Sequence, residues 1–342
     1  MTERGLVRPP RVRPGDKVGV FAPSSPLAAR YGTRLRGGVE ALAALLGVDV
    51  VVAGQAERRT EGYQAGDPAE RAAALMAFVR DPEVTAVVAT LGGYNSADIL
   101  PHLDQSVLRA NPTVLVGYSD VTSLLVGIQA LAGWVTFHGP TVMTDFGERP
   151  RVDPFTARHF MTAVAAGHGR ERWELDDPEV WTDEFLDWGG TEWLRGRAPS
   201  GPGTRQVWAG GTGTGRLFGG NISTLNYLLG TPYVAFPSEM VFCFEATGID
   251  AEPANVQRSL AHLRQAGVLD GVRAVLVGRF AGSARSSPQL LRDVVLTFFP
   301  AVPVIADLPF GHLSPIWTLP MGAEVSVTAD GSGSSIDILG WP

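Results

Sequence analysis

The first half of the chain alternates short runs of β-branched residues with segments of helical periodicity. Strands are predicted over 17–23, 48–53, 85–93 and 113–117, and a helix is predicted from 68 to about 80. Continuous apolar strands that alternate with helices are typical of a parallel sheet covered on both faces. The pattern therefore predicts an α/β fold, with ligand chemistry at the carboxyl ends of the strands.

The chain of 342 residues is long enough for two domains of about 150 residues each. Its composition changes between 167 and 215, where five tryptophans lie among Gly, Pro and charged residues. We predict an N-terminal parallel-sheet domain at 1–166, of the flavodoxin-like or amidotransferase-like type. A linker with a Trp-rich substrate loop follows at 167–215, and a smaller C-terminal α/β domain occupies 216–342.

The second half of the chain returns to alternating strand and helix patterns. The predicted elements are a helix over 219–230, strands over 239–246 and 273–280, a helix near 253–266, and a hairpin in the last 20 residues. The hairpin is indicated by two runs of alternating polarity around a Gly/Ser turn.

Charge and cysteine content exclude several classes of function. Lys and Arg number 28 against 35 Asp and Glu, a net charge of −7, so no broad basic surface is available for a nucleic-acid polymer. The single cysteine, Cys243, excludes a disulfide framework and a multi-cysteine metal site. The longest apolar stretch, 124–137, is too short to span a bilayer, and no export signal is evident. We expect a cytoplasmic homodimer without metal, cofactor or membrane partner.

Ser119 lies between a predicted buried strand and a predicted helix, in the segment TVLVGYSDVTSLL. Such a strand-to-helix turn lifts a serine hydroxyl above the sheet, and the next N–H faces a developing oxyanion. A serine that only caps the helix is the alternative. The α/β-hydrolase pattern G-x-S-x-G is not met, because Val121 replaces its second glycine.

A serine nucleophile needs a base, and six histidines are available. His159 and His262 fall within helical patterns, where partly exposed surface positions are expected. His138 follows a strand and could line a cleft. His312 lies in a loop bounded by Gly and Pro after an apolar run, a position without a packing role, and it is the best candidate base.

Glu245 ends the apolar run VFCFE and is the candidate carboxylate that would orient the base. Carboxylates are rarely buried unless they are paired, so a structural ion pair is an equally good interpretation from this segment alone.

These residues lie in motifs that resemble one known family. The motifs are RPGDKVGVFAPSSP, ATLGGYNSADIL, LVGYSDVTSL, FHGPTV, GGNISTLNYLLGTPY, VFCFEATG and LPFGHLSP, and they extend through nearly the whole chain. In this order they resemble the LD-carboxypeptidases and the related microcin-immunity, or MccF-like, serine peptidases. The resemblance implies a catalytic triad of Ser119, Glu245 and His312, and an oxyanion hole formed by the amides of Gly93 and Asp120.

The interval between Ser119 and Glu245, 245 − 119 = 126 residues, resembles the longer MccF-type spacing. The resemblance implies that WTDEFLDW, with Trp181 and Trp188, stacks on the nucleotide end of an aminoacyl-adenylate-like substrate. A hydrophobic cluster under a long loop is the alternative for these tryptophans. Gly220 and Asn221 are further candidate substrate contacts, because the GGN motif adjoins the active site in the family.

The sequence thus predicts a serine carboxypeptidase that detoxifies aminoacyl-nucleotide compounds of the microcin C type. Two alternatives stay open: an LD-carboxypeptidase that releases D-alanine from a murein tetrapeptide, and a non-catalytic two-domain protein that binds a ligand in its cleft.

Overall fold

The computed structural model describes residues 6–58, 60–166, 170–280, 287–330 and 333–341. The described residues form sixteen strands, which are β1 (Lys17–Phe21), β2 (Asp49–Val52), β3 (Val84–Ala89), β4 (Val114–Gly117), β5 (Thr136–His138), β6 (Arg170–Glu174), β7 (Val180–Trp181), β8 (Gly201–Pro202), β9 (Gln206–Ala209), β10 (Gly211–Asn221), β11 (Met240–Glu245), β12 (Val272–Gly278), β13 (Val304–Leu308), β14 (Leu319–Met321), β15 (Glu324–Asp330) and β16 (Gly333–Trp341).

The same residues form ten α-helices, which are α1 (Leu27–Arg30), α2 (Gly32–Leu46), α3 (Gly54–Glu57), α4 (Pro68–Arg80), α5 (Gln105–Ala110), α6 (Thr122–Ala132), α7 (Pro154–Met161), α8 (Ile222–Tyr227), α9 (Pro253–Gln265) and α10 (Pro288–Phe298).

The first sheet contains six strands in the order β14-β5-β4-β3-β1-β2. Strands β1 to β5 run parallel to their neighbours, and only β14 pairs antiparallel, with β5. The valine-rich strands β3 and β4 are buried along nearly their whole length, since helices cover both faces of the sheet. The predicted parallel sheet is confirmed.

Helix α4 shows how closely local sequence rules are followed in this half. Its N-cap is Asp67, whose side chain accepts a hydrogen bond from the amide of Glu70, and Pro68 occupies the first helical position. The Asp67 side chain satisfies one of the N–H groups that lack a partner at a helix start, and Pro68 has no N–H group to satisfy. The predicted helix from 68 to about 80 is therefore confirmed.

The second sheet contains eight strands in the order β6-β16-β15-β10-β11-β12-β13-β9. Its centre, β10 to β13, is parallel, and the outer strands pair antiparallel. The predicted C-terminal hairpin is formed by β15 and β16; the Gly/Ser turn between them, 331–332, lies outside the described residues. The chain is thus a mixed α/β protein with a parallel N-terminal sheet.

The helix predicted over 219–230 begins later than expected. Gly219 and Gly220 belong to β10 and pair in parallel with Cys243 and Phe244 of β11. A Cβ on Gly219 would lie 1.7 Å from the carbonyl oxygen of Cys243, so only glycine permits this approach of the two strands. Helix α8 starts at Ile222 and ends at Tyr227.

The predicted linker and Trp-rich loop at 167–215 also contains strands of the second sheet. Strand β6 pairs with β16, and β9 pairs with β13, so both ends of this region belong to the sheet rather than to a loop. Strand β14, from the predicted C-terminal domain, completes the first sheet beside β5. The division of the chain at 166 and 216 stays a prediction.

The two sheets share their hydrophobic core. One buried cluster includes Leu124 of α6 together with Phe244 of β11, and a second includes Val116 of β4 together with Leu276 of β12. Helix α6 is therefore buried next to the second sheet. This packing brings the carboxyl ends of the parallel strands in both sheets to a common region.

Candidate active site

Ser119 lies in the turn that joins β4 to α6. The backbone makes one 3₁₀ turn, Ser119–Val121, before α6 begins at Thr122. Ser119 has a φ of 62°, a left-handed conformation that costs a residue with a Cβ about 1 to 2 kcal/mol. A strained serine between a buried strand and a helix is the geometry of a nucleophile elbow.

His312 links Ser119 to Glu245. Its Nε2 lies 2.9 Å from Oγ of Ser119, and its Nδ1 lies 2.8 Å from Oε2 of Glu245. An ionised carboxylate can only accept, so Nδ1 carries the proton and Nε2 is free to accept from the serine hydroxyl. The structure thus brings together the three residues that the sequence analysis selected.

Burial and the hydrogen-bond partner shift the pKa values of His312 and Glu245 in opposite directions. Burial alone would lower the pKa of His312, but the charge of Glu245 and its hydrogen bond outweigh burial and leave that pKa raised. Burial alone would raise the pKa of Glu245, which is 0% exposed, but His312 and the amide of Asn221 leave it lowered. Glu245 is therefore ionised and stabilises the imidazolium form of His312.

Parallel register explains why Asn221 and Glu245 meet. They are the last residues of β10 and β11 and are direct partners in the ladder. Asn221 Nδ2 donates to Oε1 of Glu245 at 3.1 Å, while its Oδ1 accepts from the amide and hydroxyl of Thr224 in α8. Asn221 therefore binds the carboxylate oxygen of Glu245 that His312 does not bind. A substrate contact for Asn221 stays a prediction.

Gly220 lies beneath the elbow. A Cβ on Gly220 would come within 2.7 Å of the Thr122 side chain at the start of α6, and the amide of Asn221 donates to the Thr122 hydroxyl. This close approach gives Gly220 a packing role between the two sheets; a substrate contact for it also stays a prediction.

The glycine pair after β3 lies against the elbow. A Cβ on Gly92 would be 2.9 Å from the Ser119 Cβ and 3.3 Å from the amide nitrogen of Asp120. A Cβ on Gly93 would be 2.2 Å from Oγ of Ser24. Both positions therefore need glycine for steric reasons, and the predicted oxyanion role of the Gly93 and Asp120 amides is compatible with this placement.

Two other histidines differ from their expected positions. His138 is 1% exposed, and its ring nitrogens have no hydrogen-bond partner among the described residues. Burial lowers its pKa to about 4. His159, expected at a partly exposed surface, is 1% exposed because its ring packs near Phe155 and Trp173. His262 is exposed as predicted, and its Nδ1 lies 2.9 Å from Oδ1 of Asn226.

A pocket of about 620 Å³ opens beside His312. Its wall includes Tyr118, the neighbour of Ser119, and the aromatic side chains of Tyr31, Phe185 and Trp188. Phe185 is 77% exposed, so its ring is accessible to solvent at the pocket wall. Tyr31 and Phe185 were not singled out by the sequence analysis, although Phe185 lies within the segment WTDEFLDW.

Trp188 is fixed in this wall by two contacts. The Tyr31 ring meets it edge to face, with centroids 5.8 Å apart, and the Arg34 guanidinium lies 4.4 Å from the centroid of its ring. Trp188 is half-buried, so part of the indole is held in place while part faces the pocket.

Trp181 does not reach this pocket, contrary to the expectation that it lies beside Trp188 at the substrate. It is 6% exposed and lies under the Arg279 guanidinium, which is 4.7 Å from the centroid of its ring. Arg279 also donates to the carbonyls of Pro202 and Thr204. These contacts bury Trp181 as an anchor of the segment.

The remaining tryptophans of the region also have structural positions. Trp173 and Trp193 are buried, and Trp208 is half-buried beside a different pocket. These positions are not those of one hydrophobic cluster under a loop, because Trp173 and Trp208 pack with different core clusters and Trp181 and Trp193 lie beside arginines. Trp188 alone among the five lines the pocket beside His312.

The pocket wall contains more carboxylates than cations. Five acids contribute to it, and the two arginines that line it both bind Glu148; the acids are Asp145, Glu148, Asp183, Glu184 and Asp187, and the arginines are Arg34 and Arg197. Burial raises the pKa of Asp145 to about 6. The lining of the pocket thus has an excess of carboxylates over guanidinium groups.

Within the described ranges, no three His, Cys, Asp or Glu residues form a group that could hold a metal ion. The described helices include none that combines the length and the apolar character needed to cross a bilayer.

In serine hydrolases, a serine forms a hydrogen bond to a histidine, and the histidine forms a hydrogen bond to a buried carboxylate. Ser119, His312 and Glu245 have this arrangement. Comparison with known proteins gives the same class. The family model described as LD-carboxypeptidase N-terminal domain matches residues 18–139, and the one described as LD-carboxypeptidase C-terminal domain matches 214–327. The chain belongs to the LD-carboxypeptidase family and is a serine-type carboxypeptidase.

Two curated relatives have different named activities. The Microcin C7 self-immunity protein MccF of Escherichia coli is 31% identical, over 94% of this chain and 93% of its own. The "Probable murein peptide carboxypeptidase" of Bacillus subtilis is also 31% identical, over 94% and 91%. Sequence identity therefore does not separate the two candidate substrates.

Solved structures of the two kinds of relative differ in how closely their folds match this one. MccF in complex with aspartyl sulfamoyl adenosine has a TM-score of 0.87 at 29% identity, covering 98% of this chain and 99% of that one. The muramoyltetrapeptide carboxypeptidase of Oxalobacter formigenes has a TM-score of 0.75 at 22% identity, covering 95% and 99%. The fold is thus more similar to that of MccF.

Proposed function

We propose that Ser119, His312 and Glu245 are the catalytic triad of this carboxypeptidase. The observation that carries the proposal is the continuous hydrogen-bonded chain from Oγ of Ser119 through His312 to the fully buried Glu245. Three side chains from distant parts of the sequence meet with the spacing that proton transfer needs.

In the proposed reaction, Oγ of Ser119 attacks the amide carbonyl carbon while Nε2 of His312 takes the hydroxyl proton. The amides of Gly93 and Asp120 donate to the oxyanion of the tetrahedral intermediate. The intermediate collapses, the C–N bond breaks, and the leaving amine takes the proton from His312. Water then hydrolyses the acyl-enzyme by the same sequence, and Glu245 orients and stabilises the imidazolium in both halves.

We further propose that the substrate is an aminoacyl nucleotide, cleaved in the manner of MccF detoxification. Trp188 and Phe185 offer aromatic surface on the pocket wall, and stacking of a base on an aromatic ring is worth about 1 to 3 kcal/mol. The carboxylate-rich wall favours the free ammonium of an aminoacyl group. A murein tetrapeptide has no base that could stack on these rings.

A substrate panel tests the proposal. Aspartyl and alanyl sulfamoyl adenosine and a murein L,D-tetrapeptide are incubated with the purified protein, with Ser119→Ala as the blank, and products are quantified by mass spectrometry. We expect release of the amino acid from the adenosine compounds at a higher kcat/KM than release of D-alanine. Faster tetrapeptide cleavage would replace this substrate by the murein peptide, a candidate that the second curated relative favours.

If Ser119→Ala cleaves these compounds as fast as the wild type, the proposed triad is wrong. If the wild type cleaves none of them, a binding protein on the same scaffold becomes the better interpretation. A cytoplasmic location and a homodimer stay predictions; size-exclusion chromatography with light scattering tests the second.

A further inference from the structure

Asp120 follows the proposed nucleophile, and its carboxylate is buried rather than exposed to the pocket. Oδ2 accepts hydrogen bonds from the amides of Asn95 and Ser96, each at 2.9 Å. The Ser96 hydroxyl donates to the backbone carbonyl of Asp120. Asp120 is 6% exposed. One residue of the elbow therefore holds the turn that follows the glycine pair.

Ser24 also holds this turn. Its Oγ accepts from the amides of Tyr94 and Asn95, at 2.9 and 3.1 Å, and donates to Oδ1 of Asn95 at 2.6 Å. The amide of Ser25 donates to the carbonyl of Gly92. The position of Ser24 explains the glycine at 93, because Oγ of Ser24 occupies the space where a Cβ of residue 93 would lie.

Arg71 completes the enclosure. Its side chain is 0% exposed, and Nη1 donates to the carbonyl of Asn95 at 2.9 Å and to the carbonyl of Pro23 at 2.5 Å. A buried guanidinium is costly unless its donors are satisfied, so the turn and the loop after β1 are fixed together. The segment from Gly92 to Ser96 is therefore hydrogen-bonded to three other parts of the chain, and Asp120 alone among these partners belongs to the elbow.

We propose that the carboxylate of Asp120 is a positioning residue, which fixes the Gly92–Ser96 turn against the elbow so that the amides of Gly93 and Asp120 keep one spacing. The proposal rests on the oxyanion role assigned above. An oxyanion hole works only while its donors stay about 2.7 to 3.1 Å from the developing charge. The backbone amide of Asp120 is one proposed donor, and its carboxylate holds the turn that carries the other donor, the amide of Gly93. Asp120 therefore links the positions of the two donors.

The test compares Asp120→Ala with Asp120→Asn. Alanine removes the acceptor of two amides, whereas asparagine keeps one oxygen where Oδ2 lies, removes the charge and replaces Oδ1 with an NH2 group. Asp104→Ala is the matched control, because Asp104 also accepts from two successive amides, those of Ser106 and Val107, at the start of α5 and outside the pocket.

The first readout is the rate at which a fluorophosphonate probe labels Ser119, which needs no natural substrate. In this step Oγ bonds to phosphorus, fluoride leaves, and His312 takes the hydroxyl proton. We expect Asp120→Ala to slow labelling by about 10² to 10³, the loss typical of one oxyanion donor. Asp120→Asn and Asp104→Ala are expected to stay within about tenfold of wild type.

The second readout is steady-state kinetics on a substrate found by the panel. Asp120→Ala is expected to lower kcat with KM nearly unchanged, since the donors act in the transition state. Thermal melting of all three variants shows whether loss of fold accounts for the result. If Asp120→Ala is unfolded, Ser24→Ala takes its place, because it removes the other side-chain acceptor of this turn.

Labelling of Asp120→Ala, or of Ser24→Ala in its place, at the wild-type rate overturns this inference. So does an equal loss in Asp120→Asn, which would mean that charge rather than acceptor position matters. Labelling that persists in Ser119→Ala instead overturns the proposed triad, so the two failures are distinguishable.

Discussion

The reaction centre and the wall segment, residues 173–208, are held by different kinds of contact. Glu245 ends a central strand and Ser119 follows one, and His312 joins them through hydrogen bonds of 2.8 and 2.9 Å. In the wall segment, β7 and β8 are only two residues each, and Thr182 forms an isolated bridge with Ser314.

The ends of the wall segment pair with strands of the second sheet, and between those ends side-chain contacts hold it. Trp181 is fixed by Arg279, and Glu184 is paired with Arg195 on the surface. Trp181 is buried, whereas Phe185 and part of Trp188 face the pocket. Substitutions at the reaction centre should therefore change the catalytic rate. Substitutions in the wall segment should lower stability where the side chain is buried and substrate affinity where it faces the pocket.

The largest effect is expected at the centre. Ser119→Ala, His312→Ala and Glu245→Ala should each lower kcat by about 10⁴ to 10⁶, because triad members act as a unit. The measurement is turnover on the best substrate of the panel, with circular dichroism as evidence of folding. Ser123→Ala, a buried serine in α6, is the control and should keep activity. Turnover by Ser119→Ala near the wild-type rate would remove Ser119 from the mechanism.

The second effect separates anchor from surface within the wall. Trp181→Ala should lower the free energy of unfolding by about 3 to 5 kcal/mol, the usual cost of deleting a buried tryptophan. Phe185→Ala, at an exposed site, should change it by about 0.5 kcal/mol or less. Urea denaturation measures both. A smaller loss for Trp181 than for Phe185 would break the distinction between anchors and pocket-facing side chains.

The third effect tests the pocket-facing side chain. Trp188→Ala should raise KM for aminoacyl sulfamoyl adenosine by a factor equivalent to about 1 to 3 kcal/mol of stacking, with kcat nearly unchanged. Trp208→Ala is the matched control, since Trp208 is also half-buried but lines another pocket. Equal KM values for the two variants would show that base stacking does not occur on Trp188.

The smallest effect concerns pH. His312 must be neutral to act as a base, and its pKa is raised, so kcat/KM should rise with pH through a midpoint above the ordinary histidine value of about 6.5. Below that midpoint the rate should fall about tenfold per pH unit. Measurements from pH 5 to 9 on the wild type give the profile.

Glu245→Gln sharpens the pH experiment, because it removes the charge that raises the pKa of His312 and should move the midpoint down. His138→Gln should leave the midpoint unchanged, since the pKa of His138 is lowered to about 4 and lies below the measured range. A profile that is flat from pH 5 to 8 would exclude His312 as the base.

Much of the centre could be predicted from the sequence. Ser119 and Glu245 follow or end apolar runs, and parallel strands bring their carboxyl ends to one edge, so a local pattern already places such residues together. The helix at 68–80 was likewise predictable because capping depends on neighbours along the chain. Local rules were insufficient for Gly219 and Gly220, where pairing with β11 overrides the helical pattern.

The wall could not be predicted in the same way. The sequence by itself determined that the chain is α/β and that Ser119, Glu245 and His312 lie at strand ends or in the loop after one, because periodicity and strand direction are properties of short segments. Only the tertiary structure decided that Trp188 faces the pocket while Trp181 is buried. The physical reason is that each tryptophan is oriented by an arginine far away in the chain, Arg34 or Arg279, and no local pattern specifies that contact.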